Sequence, residues 1–279
     1  MEVAREQNSL ETCLTEAKQA GYEGVELGRK FPRDAKVLGP ILKPHGLDLV
    51  SGWYSARLLE RSIEDEIKAM QAHATLLKSL GAQVMVFCEV SRCVHGDRKI
   101  PLSKRPKLAD NEWQQFCQRL DQTAEYLQKQ RLKMAYHHHM GTVIQAEDEV
   151  DRMMDSTKNV GLLLDSGHLT FAGGDPMRAL KRHAKRIVHV HCKDIRKDKL
   201  AQAKKKDLSF LDAVLGDVFA VPGDGSIDFA PLLEGLAKAG YQGWLVVEAE
   251  QDPAIAPSYE YAQKGYRTLT SIVKSINAT

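Results

Sequence analysis

Apolar runs alternate with amphipathic stretches along the whole chain. Short apolar runs rich in β-branched residues predict strands, and between them apolar residues recur at helical spacing. The predicted strands are 24–27, 48–54, 84–89, 133–139, 160–165, 187–193 and 244–250. Because these strands are continuous apolar runs that alternate with helices, they indicate a parallel sheet covered on its outer face.

The amphipathic stretches predict about eight helices. Ser9 stands where a helix N-cap is expected, and Gly21 and Gly81 follow predicted helix ends. The predicted helices are 9–20, 33–45, 62–80, 110–129, 146–156, 176–183, 229–239 and 259–276.

The distribution of polar residues decides between two α/β folds. A doubly wound sheet concentrates its site at one switch point, whereas a barrel gathers all its strand ends around one mouth. Here polar residues end several strands, and no GxGxxG turn follows the first one. The pattern therefore favours a (β/α)8 TIM barrel, apparently lacking its first strand, because only eight residues precede the first predicted helix. With no Pro/Gly/Ser-rich linker, we expect one domain over residues 1–279.

Composition and charge exclude several classes of protein. The 279 residues are 43% hydrophobic and 27% charged, which is ordinary for a globular protein, and the net charge of +2 suggests no polyanionic partner. The five cysteines show no CxxC spacing and are expected to be reduced thiols of a cytoplasmic protein. Residues 1–6 carry no apolar signal run, and no apolar window is long enough to predict a membrane span.

One stretch, residues 193–206, is rich in lysine and arginine. Runs of like charge repel each other and usually stay solvated, so this stretch predicts a loop. Lys193 and Arg196 are exceptions, because they lie close to the end of a predicted strand.

Four predicted strands end in residues that bind metal ions or transfer protons. Because side chains alternate along a strand, the residues that share a face can be read directly. The sets are Ala135, His137 and His139; Leu163 and Asp165; His189, His191 and Lys193; and Val246, Glu248 and Glu250. Buried imidazoles and carboxylates cost free energy unless they are paired or bind a metal. Together the sets predict a metal-dependent enzyme, with nitrogen and oxygen ligands typical of Mn²⁺, Co²⁺ or Mg²⁺.

Taken singly, several of these residues have structural explanations. Asp165 could cap the following helix, His139 or His189 could be a hydrogen-bonded core histidine, and Glu89 at another strand end could face solvent. In the functional interpretation the metal polarises a substrate carbonyl and acidifies its α-proton. Arg196 and Lys193 then bind substrate oxygens, while His168, in the loop after Asp165, transfers protons.

These motifs resemble the xylose-isomerase-like barrel superfamily of sugar isomerases, epimerases and apurinic endonucleases, and within it the inosose dehydratases. The resemblance spans residues 24–253 and rests on six long uninterrupted stretches of sequence. They are VELGRKFP from Val25, YHHHMGT from Tyr136, LLLDSGHLTFAGGDP from Leu162, HVHCKDIR from His189, VPGDGSIDF from Val221 and GWLVVEAEQDP from Gly243.

The resemblance implies a metal, Mn²⁺ or Co²⁺, held by residues of successive strands. It assigns this role to Asp165, His191 and Glu248, with His137 where the wider superfamily has a glutamate. The implied reaction is loss of water from 2-keto-myo-inositol (scyllo-inosose) to 3D-3,5/4-trihydroxycyclohexane-1,2-dione, in inositol catabolism. The expected acid and base groups are among Glu250, His168, His139 and Glu89. The expected substrate-binding residues are Lys193, Arg196 and Trp53.

Two rival interpretations stay open. A sugar ketose epimerase or isomerase uses the same metal and two acid–base groups but releases no water. An inactive, truncated paralogue would bind no metal and turn over nothing. An apurinic endonuclease is disfavoured, since a nearly neutral chain lacks the charge expected of a DNA-binding protein. The expected substrate is a small polyol ketone. We expect no nucleic-acid or membrane partner, and the sequence leaves a homo-oligomer open.

Overall fold

The computed structural model describes residues 8–278, and the expectation about a signal run in residues 1–6 lies outside this range. Within it, strands and helices alternate. The strands are β1 Gly24–Leu27, β2 Asp48–Ala56, β3 Val84–Glu89, β4 Lys133–His137, β5 Gly161–Asp165, β6 Ile187–Cys192, β7 Asp194–Ile195, β8 Phe219–Ala220 and β9 Leu245–Val247. The helices are α1 Leu10–Ala20, α2 Ala35–Leu42, α3 Ile63–Ser79, α4 Trp113–Lys129, α5 Glu147–Asp155, α6 Ser166–Phe171, α7 Pro176–His183, α8 Lys197–Lys205, α9 Phe210–Leu215, α10 Phe229–Lys238 and α11 Ser258–Asn277.

The helix ends follow from local chemistry. At the start of α1, Ser9 Oγ accepts a hydrogen bond from the backbone N–H of Thr12 at 3.0 Å, which satisfies one free donor of the first turn. At the other end Gly21 adopts φ 109°, a left-handed conformation that glycine tolerates best. The predicted start and stop signals of this helix are therefore confirmed.

Among the described residues, the main sheet is parallel and contains seven strands in the order β1-β2-β3-β4-β5-β6-β9. All seven predicted strands are present, although those predicted to reach residues 139 and 250 leave the sheet at His137 and Val247. Register places functional residues side by side: Asp165 pairs with His191 between β5 and β6. The order and the shared direction of the strands are those of a curled sheet covered by helices, as predicted.

The two faces of the sheet differ in what they bury. The inner face carries a small apolar cluster that includes Val84, Val86, Ala135 and Leu163. The outer face packs against the helices through a large core that includes Phe87 and the fully buried Tyr136. The inner face is apolar toward the amino ends of the strands and polar at their carboxyl ends. The polar side chains therefore gather at the mouth formed by the carboxyl ends.

The sheet is open between β1 and β9, which lie at its two edges; among residues 8–278 no pairing joins them. The helical layer closes over this gap. Tyr22, directly after α1, stacks edge-on with Tyr266 of α11 at 5.3 Å between ring centres, and its hydroxyl donates to the carbonyl of Ala262 at 2.9 Å. Over residues 8–278 the sheet is therefore an open, curled barrel of seven strands.

The lysine-rich stretch is folded, so the prediction of a loop there is wrong. Residues 197–205 form α8, because Leu200 and Ala203 are buried on one side while the lysines at 204–206 stay exposed. These buried residues share a small core with Phe210 of α9. Before and after these helices, β7 and β8 form a short antiparallel ribbon. This segment, residues 194–220, lies against the carboxyl ends of the sheet.

Candidate metal and proton-transfer site

Four strand ends bring their polar side chains together at the mouth of the sheet. His137 ends β4, Asp165 ends β5, His191 lies near the end of β6, and Glu248 follows β9. All four belong to the inward-facing sets predicted from strand alternation. Ligand atoms of His137, Asp165 and Glu248, together with one of His168, lie within 4.8 Å of one another, as expected around a metal ion. His191 adjoins this group through Nδ1, which contacts Asp165 and Glu248.

Asp165 uses its two carboxylate oxygens differently. Oδ1 accepts a hydrogen bond from the backbone N–H of His168 at 2.7 Å and so caps α6, which begins at Ser166. Oδ2 is buried and forms no hydrogen bond within residues 8–278. The capping role and the metal-ligand role therefore fall on separate oxygens. His168 lies in the first turn of α6 and not in a loop, which corrects the prediction.

Two further ligand atoms face Asp165 Oδ2. His191 Nδ1 lies 3.5 Å from Asp165 Oδ2 and 3.1 Å from Glu248 Oε2. Burial disfavours the charged imidazole, but the carboxylates of Glu26 and Glu248 raise the pKa of His191 well above its ordinary value. A metal ion bound here must therefore displace a proton from Nδ1.

His137 presents its second ring nitrogen to the same point. Its Nδ1 is 2.7 Å from the carbonyl of His138 and donates to it, since a carbonyl only accepts. Burial lowers the pKa of His137, so the ring is neutral and its Nε2 carries a lone pair. That nitrogen lies 3.5 Å from Asp165 Oδ2. The geometry agrees with an imidazole ligand in place of a carboxylate.

These residues fit a divalent cation. Asp165 Oδ2 and His191 Nδ1 are buried atoms without hydrogen bonds among the described residues, a costly state that a bound cation would relieve. The donor set mixes imidazole nitrogen with carboxylate oxygen and contains no thiolate, which suits Mn²⁺ or Co²⁺. The structure thus supports a metal site, and the identity of the ion remains a proposal.

Lys193 is fully buried beside this set. Its Nζ lies 2.9 Å from Glu248 Oε2 and 3.0 Å from Glu250 Oε2. Burial alone would lower the pKa of this lysine, but the two carboxylates raise it above its ordinary value. Lys193 is therefore a fixed positive charge, and it does not act as a neutral amine nucleophile.

A second group of side chains can transfer protons. Lys193 Nζ lies 2.8 Å from His168 Nε2, and Glu250 Oε2 lies 3.4 Å from the same nitrogen. The His139 ring lies 4.2 Å from the His168 ring, and burial holds the pKa of His139 well below its ordinary value. Burial opposes ionisation of Glu250, but Lys193 holds the pKa of its carboxyl well below the usual range.

Aromatic rings line the wall of this mouth. The Trp53 ring packs edge-on against His137 at 5.4 Å and against His139 at 5.6 Å between ring centres. The rings of Phe210 and Phe219 lie 6.0 Å and 5.1 Å from that of His168. Trp53 therefore lines the mouth, and its role in substrate binding stays a prediction. Phe210 and Phe219 lie in a segment for which the sequence predicted no helix or strand.

Glu89 is not brought into the site. Its Oε2 accepts from the backbone N–H of Leu58 at 2.6 Å, and its Oε1 accepts from that of Ser91 at 2.7 Å. It shares the outward-facing set of β3 with Phe87, since Val84 and Val86 face inward. Glu89 is also buried and does not face solvent. Both expectations for this residue are corrected: it holds the loops after β2 and β3 together.

The side chain of Arg196 is likewise bonded to residues outside the group around Asp165. Its Nη1 donates to Asp217 Oδ1 at 2.6 Å and to the carbonyl of Phe219 at 3.0 Å, and its Nη2 donates to Asp224 Oδ2 at 2.5 Å. These bonds fasten the β7–β8 ribbon and the loop after it. The structure therefore gives Arg196 a role in shaping the wall of the site, in place of the predicted contact with substrate.

Sequence reasoning missed Glu26 as a site residue. Glu26 lies on β1, and its carboxylate contacts His189 and His191 of β6 across the mouth of the sheet. A partner some 165 positions away in sequence leaves no periodic signal. Only the position of Glu26 within a strand, next to two apolar residues, marked it as unusual.

Comparison with known proteins agrees with this geometry. Residues 14–272 match the family model described as xylose isomerase-like TIM barrel. The chain belongs to the xylose isomerase-like TIM barrel family. The fold class predicted from the strand pattern is thereby confirmed.

Within this family, the predicted resemblance to inosose dehydratases is also confirmed. The inosose dehydratase of Geobacillus thermodenitrificans is 44% identical over 92% of this chain and 87% of its own length. That of Clostridium perfringens is 42% identical over 92% of this chain and 88% of its own length. The rhizopine catabolism protein MocC of Rhizobium meliloti is 51% identical over 93% of this chain and 80% of its own length.

Solved structures of the same fold include one with a metal. The crystal structure of the IOLI protein with a bound zinc atom matches at a TM-score of 0.67 and 18% identity, covering 97% of this chain and 94% of that one. At this identity the likeness shows the fold alone. In the described part of this chain no helix is long and apolar enough to cross a membrane.

Proposed function

We propose that this chain is a metal-dependent hydro-lyase that removes water from 2-keto-myo-inositol and forms 3D-3,5/4-trihydroxycyclohexane-1,2-dione. The observation that carries the proposal is the meeting of Asp165 Oδ2, His191 Nδ1 and Glu248 Oε2, three buried atoms that form no hydrogen bond among the described residues. The inosose dehydratase relatives support the choice of reaction.

His137, Asp165, His191 and Glu248 are the residues proposed to hold Mn²⁺ or Co²⁺. When bound, such an ion acts as a Lewis acid that polarises the substrate ketone and so acidifies the neighbouring C–H bond. The protein's contribution is to fix the ligands and to place proton-transferring groups beside them. Trp53, Phe210 and Phe219 enclose the mouth in which a six-membered polyol ring is proposed to lie.

Glu250 is proposed as the base. Its carboxyl is ionised at neutral pH because Lys193 holds its pKa low, and its side chain is 31% exposed, whereas that of His168 is fully buried. A carboxylate that is ionised and open to the cavity can take the proton from the carbon next to the ketone. Lys193, which stays protonated, stabilises negative charge on substrate oxygens.

His168 is proposed to return this proton. Its Nε2 lies 3.4 Å from Glu250 Oε2, so the proton taken by Glu250 can pass to His168 and then to the departing hydroxyl group. One C–H bond and one C–O bond break, a carbon–carbon double bond forms, and the proton and hydroxide leave as water. Because the carbon that loses its proton also bears a hydroxyl group, the product is an enol that becomes the second ketone.

The test is an assay of purified protein with scyllo-inosose, following the absorbance of the dione with and without added Mn²⁺. The proposal expects dione formation that disappears in metal-stripped protein and returns with Mn²⁺. Isomeric ketones without dione would instead favour an epimerase or isomerase. No turnover and no stoichiometric metal would favour an inactive paralogue.

A role in rhizopine catabolism is a second candidate, since a relative 51% identical to this chain carries that name. The two candidates are separated by comparing kcat/KM for scyllo-inosose with the values for rhizopine and its breakdown products. A value for one of the latter at least about tenfold higher would favour the second candidate, because tenfold corresponds to about 1.4 kcal/mol of transition-state binding.

A further inference from the structure

Glu26 connects β1 to the centre of the candidate site. Three donors converge on its carboxylate: the hydroxyl of Ser51 on β2, His189 Nε2 at 2.8 Å and His191 Nε2 at 3.2 Å. The contact to His191 reaches across the open mouth from the first strand of the sheet to the sixth. No other described residue bonds to the Nε2 atom of His191.

The direction of these hydrogen bonds is fixed by the carboxylate. A hydroxyl group and two imidazole nitrogens lie at hydrogen-bond distance from this one carboxylate, so the carboxylate is the acceptor and the three partners are the donors. An ionised carboxylate only accepts hydrogen bonds. The proton on the His191 ring that faces Glu26 must therefore lie on Nε2, which leaves Nδ1 as the atom that faces Asp165 and Glu248.

We propose that Glu26 is a positioning residue for His191: it fixes the Nε2–H tautomer and the ring orientation that direct the Nδ1 lone pair to the metal site. This inference rests on the proposed function, since it requires that the site bind a metal. Carboxylates behind metal-binding histidines commonly act in this way, and their removal lowers metal affinity about 10- to 100-fold.

An alternative use of the same residues is a second metal site. Glu26, His189 and His191 place ligand atoms within 4.8 Å of one another. Against it, the Glu26 carboxylate is already occupied by three donors, and the 2.8 Å separation from His189 is that of a hydrogen bond. The two arrangements differ in the number of ions bound per chain, so titration separates them.

The experiment titrates metal-free protein with Mn²⁺ by calorimetry and compares wild type with Glu26→Ala and Glu26→Gln. We expect one ion per wild-type chain and an affinity about 10- to 100-fold weaker in Glu26→Ala. Glu26→Gln, which retains one acceptor oxygen, should fall between the two. In protein loaded with diamagnetic Zn²⁺ in place of Mn²⁺, spectra of ¹⁵N-labelled histidine should show the Nε2–H form of His191 in the wild type and a mixture of tautomers in Glu26→Ala.

Two controls separate this role from a general loss of structure. Glu66→Ala removes another buried carboxylate, one that accepts from Tyr54 and the backbone of Arg57 on the outer side of the sheet, so it should lower Tm without weakening Mn²⁺ binding. Ser51→Ala removes one donor to Glu26 and leaves the contact with His191, so its affinity should stay within about threefold of wild type, less than the change expected for Glu26→Ala.

Three results would overturn the inference. Unchanged Mn²⁺ affinity in a folded Glu26→Ala protein would show that Glu26 does not position His191, while the proposed function would stand. Two ions per wild-type chain falling to one in the variant would show a second metal site. A wild-type protein that binds no Mn²⁺ would overturn the proposed metal site, and this inference with it.

Discussion

Asp165 and His168 are joined by a hydrogen bond that leaves one carboxylate oxygen of Asp165 free for another role. The backbone N–H of His168 donates to Asp165 Oδ1 at 2.7 Å, while Oδ2 remains buried without a hydrogen bond among the described residues. A single residue thus starts α6, holds His168 near Glu250, and offers an oxygen to a cation. Because the two oxygens have different roles, mutants of Asp165 can distinguish loss of the helix cap from loss of metal binding.

Two substitutions of Asp165 should differ in whether they remove the metal ligand alone or the helix cap as well. Asp165→Asn keeps an oxygen that can cap α6 but lacks the negative charge, so we expect the fold to survive and Mn²⁺ binding and turnover to be lost. Asp165→Ala should lose the cap as well, at an additional cost of about 0.5–2 kcal/mol in stability. Metal analysis and urea unfolding of both variants measure this. Stoichiometric Mn²⁺ and normal turnover in Asp165→Asn would exclude Asp165 as a ligand.

Removal of the buried charge of Lys193 should affect turnover more than metal binding. Lys193 Nζ contacts Glu248 and Glu250 within 3.0 Å, but it offers no lone pair to a cation while it is protonated. In Lys193→Met we expect turnover to fall at least about 100-fold, the scale of losing one charge-stabilising group. Mn²⁺ affinity should stay equal or rise. A variant that loses Mn²⁺ as completely as Asp165→Asn would contradict this account.

Arg196 should matter for stability and not for substrate affinity. Its guanidinium is bonded to Asp217 and Asp224. Each such charge-assisted hydrogen bond contributes about 1.5–3 kcal/mol to the free energy of unfolding. Arg196→Met should lower Tm by at least about 5 °C and leave KM for scyllo-inosose within about threefold, because no proposed contact to substrate is removed. Thermal unfolding and steady-state kinetics test this together. A large rise in KM at unchanged Tm would restore the role expected from sequence.

Buried histidines should make stability depend on pH. Burial lowers the pKa of His138 from 6.5 to about 3, so the folded state keeps this ring neutral where the unfolded chain binds a proton. Its contribution to stability is therefore complete above pH 6.5 and declines as the pH falls toward about 3. In metal-free protein, His138→Leu should reduce the slope of unfolding free energy between pH 6.5 and 4.5 by up to about 1.4 kcal/mol per pH unit. An unchanged slope would show that His138 is protonated in the folded protein.

Local periodicity was enough to predict the sheet and most of the site. Alternation along a strand is a property of a few neighbouring residues, so it placed His137, His191 and Lys193 on the inner face correctly. The same alternation, applied to Val84 and Val86, would have placed Glu89 on the outer face. That error came from weighing the residue type above its position in the strand.

The contacts that sequence could not predict join distant segments. Arg196 is bonded to residues 21 and 28 positions away, and Glu26 to a histidine 163 positions away. No period links such pairs, since their meeting depends on how the whole sheet curls. The helix at 197–205 was missed because it buries only Leu200 and Ala203, too few apolar residues to stand out from its lysines.

The most direct test of the central claim is dione formation from scyllo-inosose by protein that has been stripped of metal and then titrated with Mn²⁺. We predict no measurable dehydration in the stripped protein and full recovery at one Mn²⁺ per chain, with Asp165→Asn unresponsive at every concentration. Near-normal dione formation by the stripped wild-type protein would contradict the account.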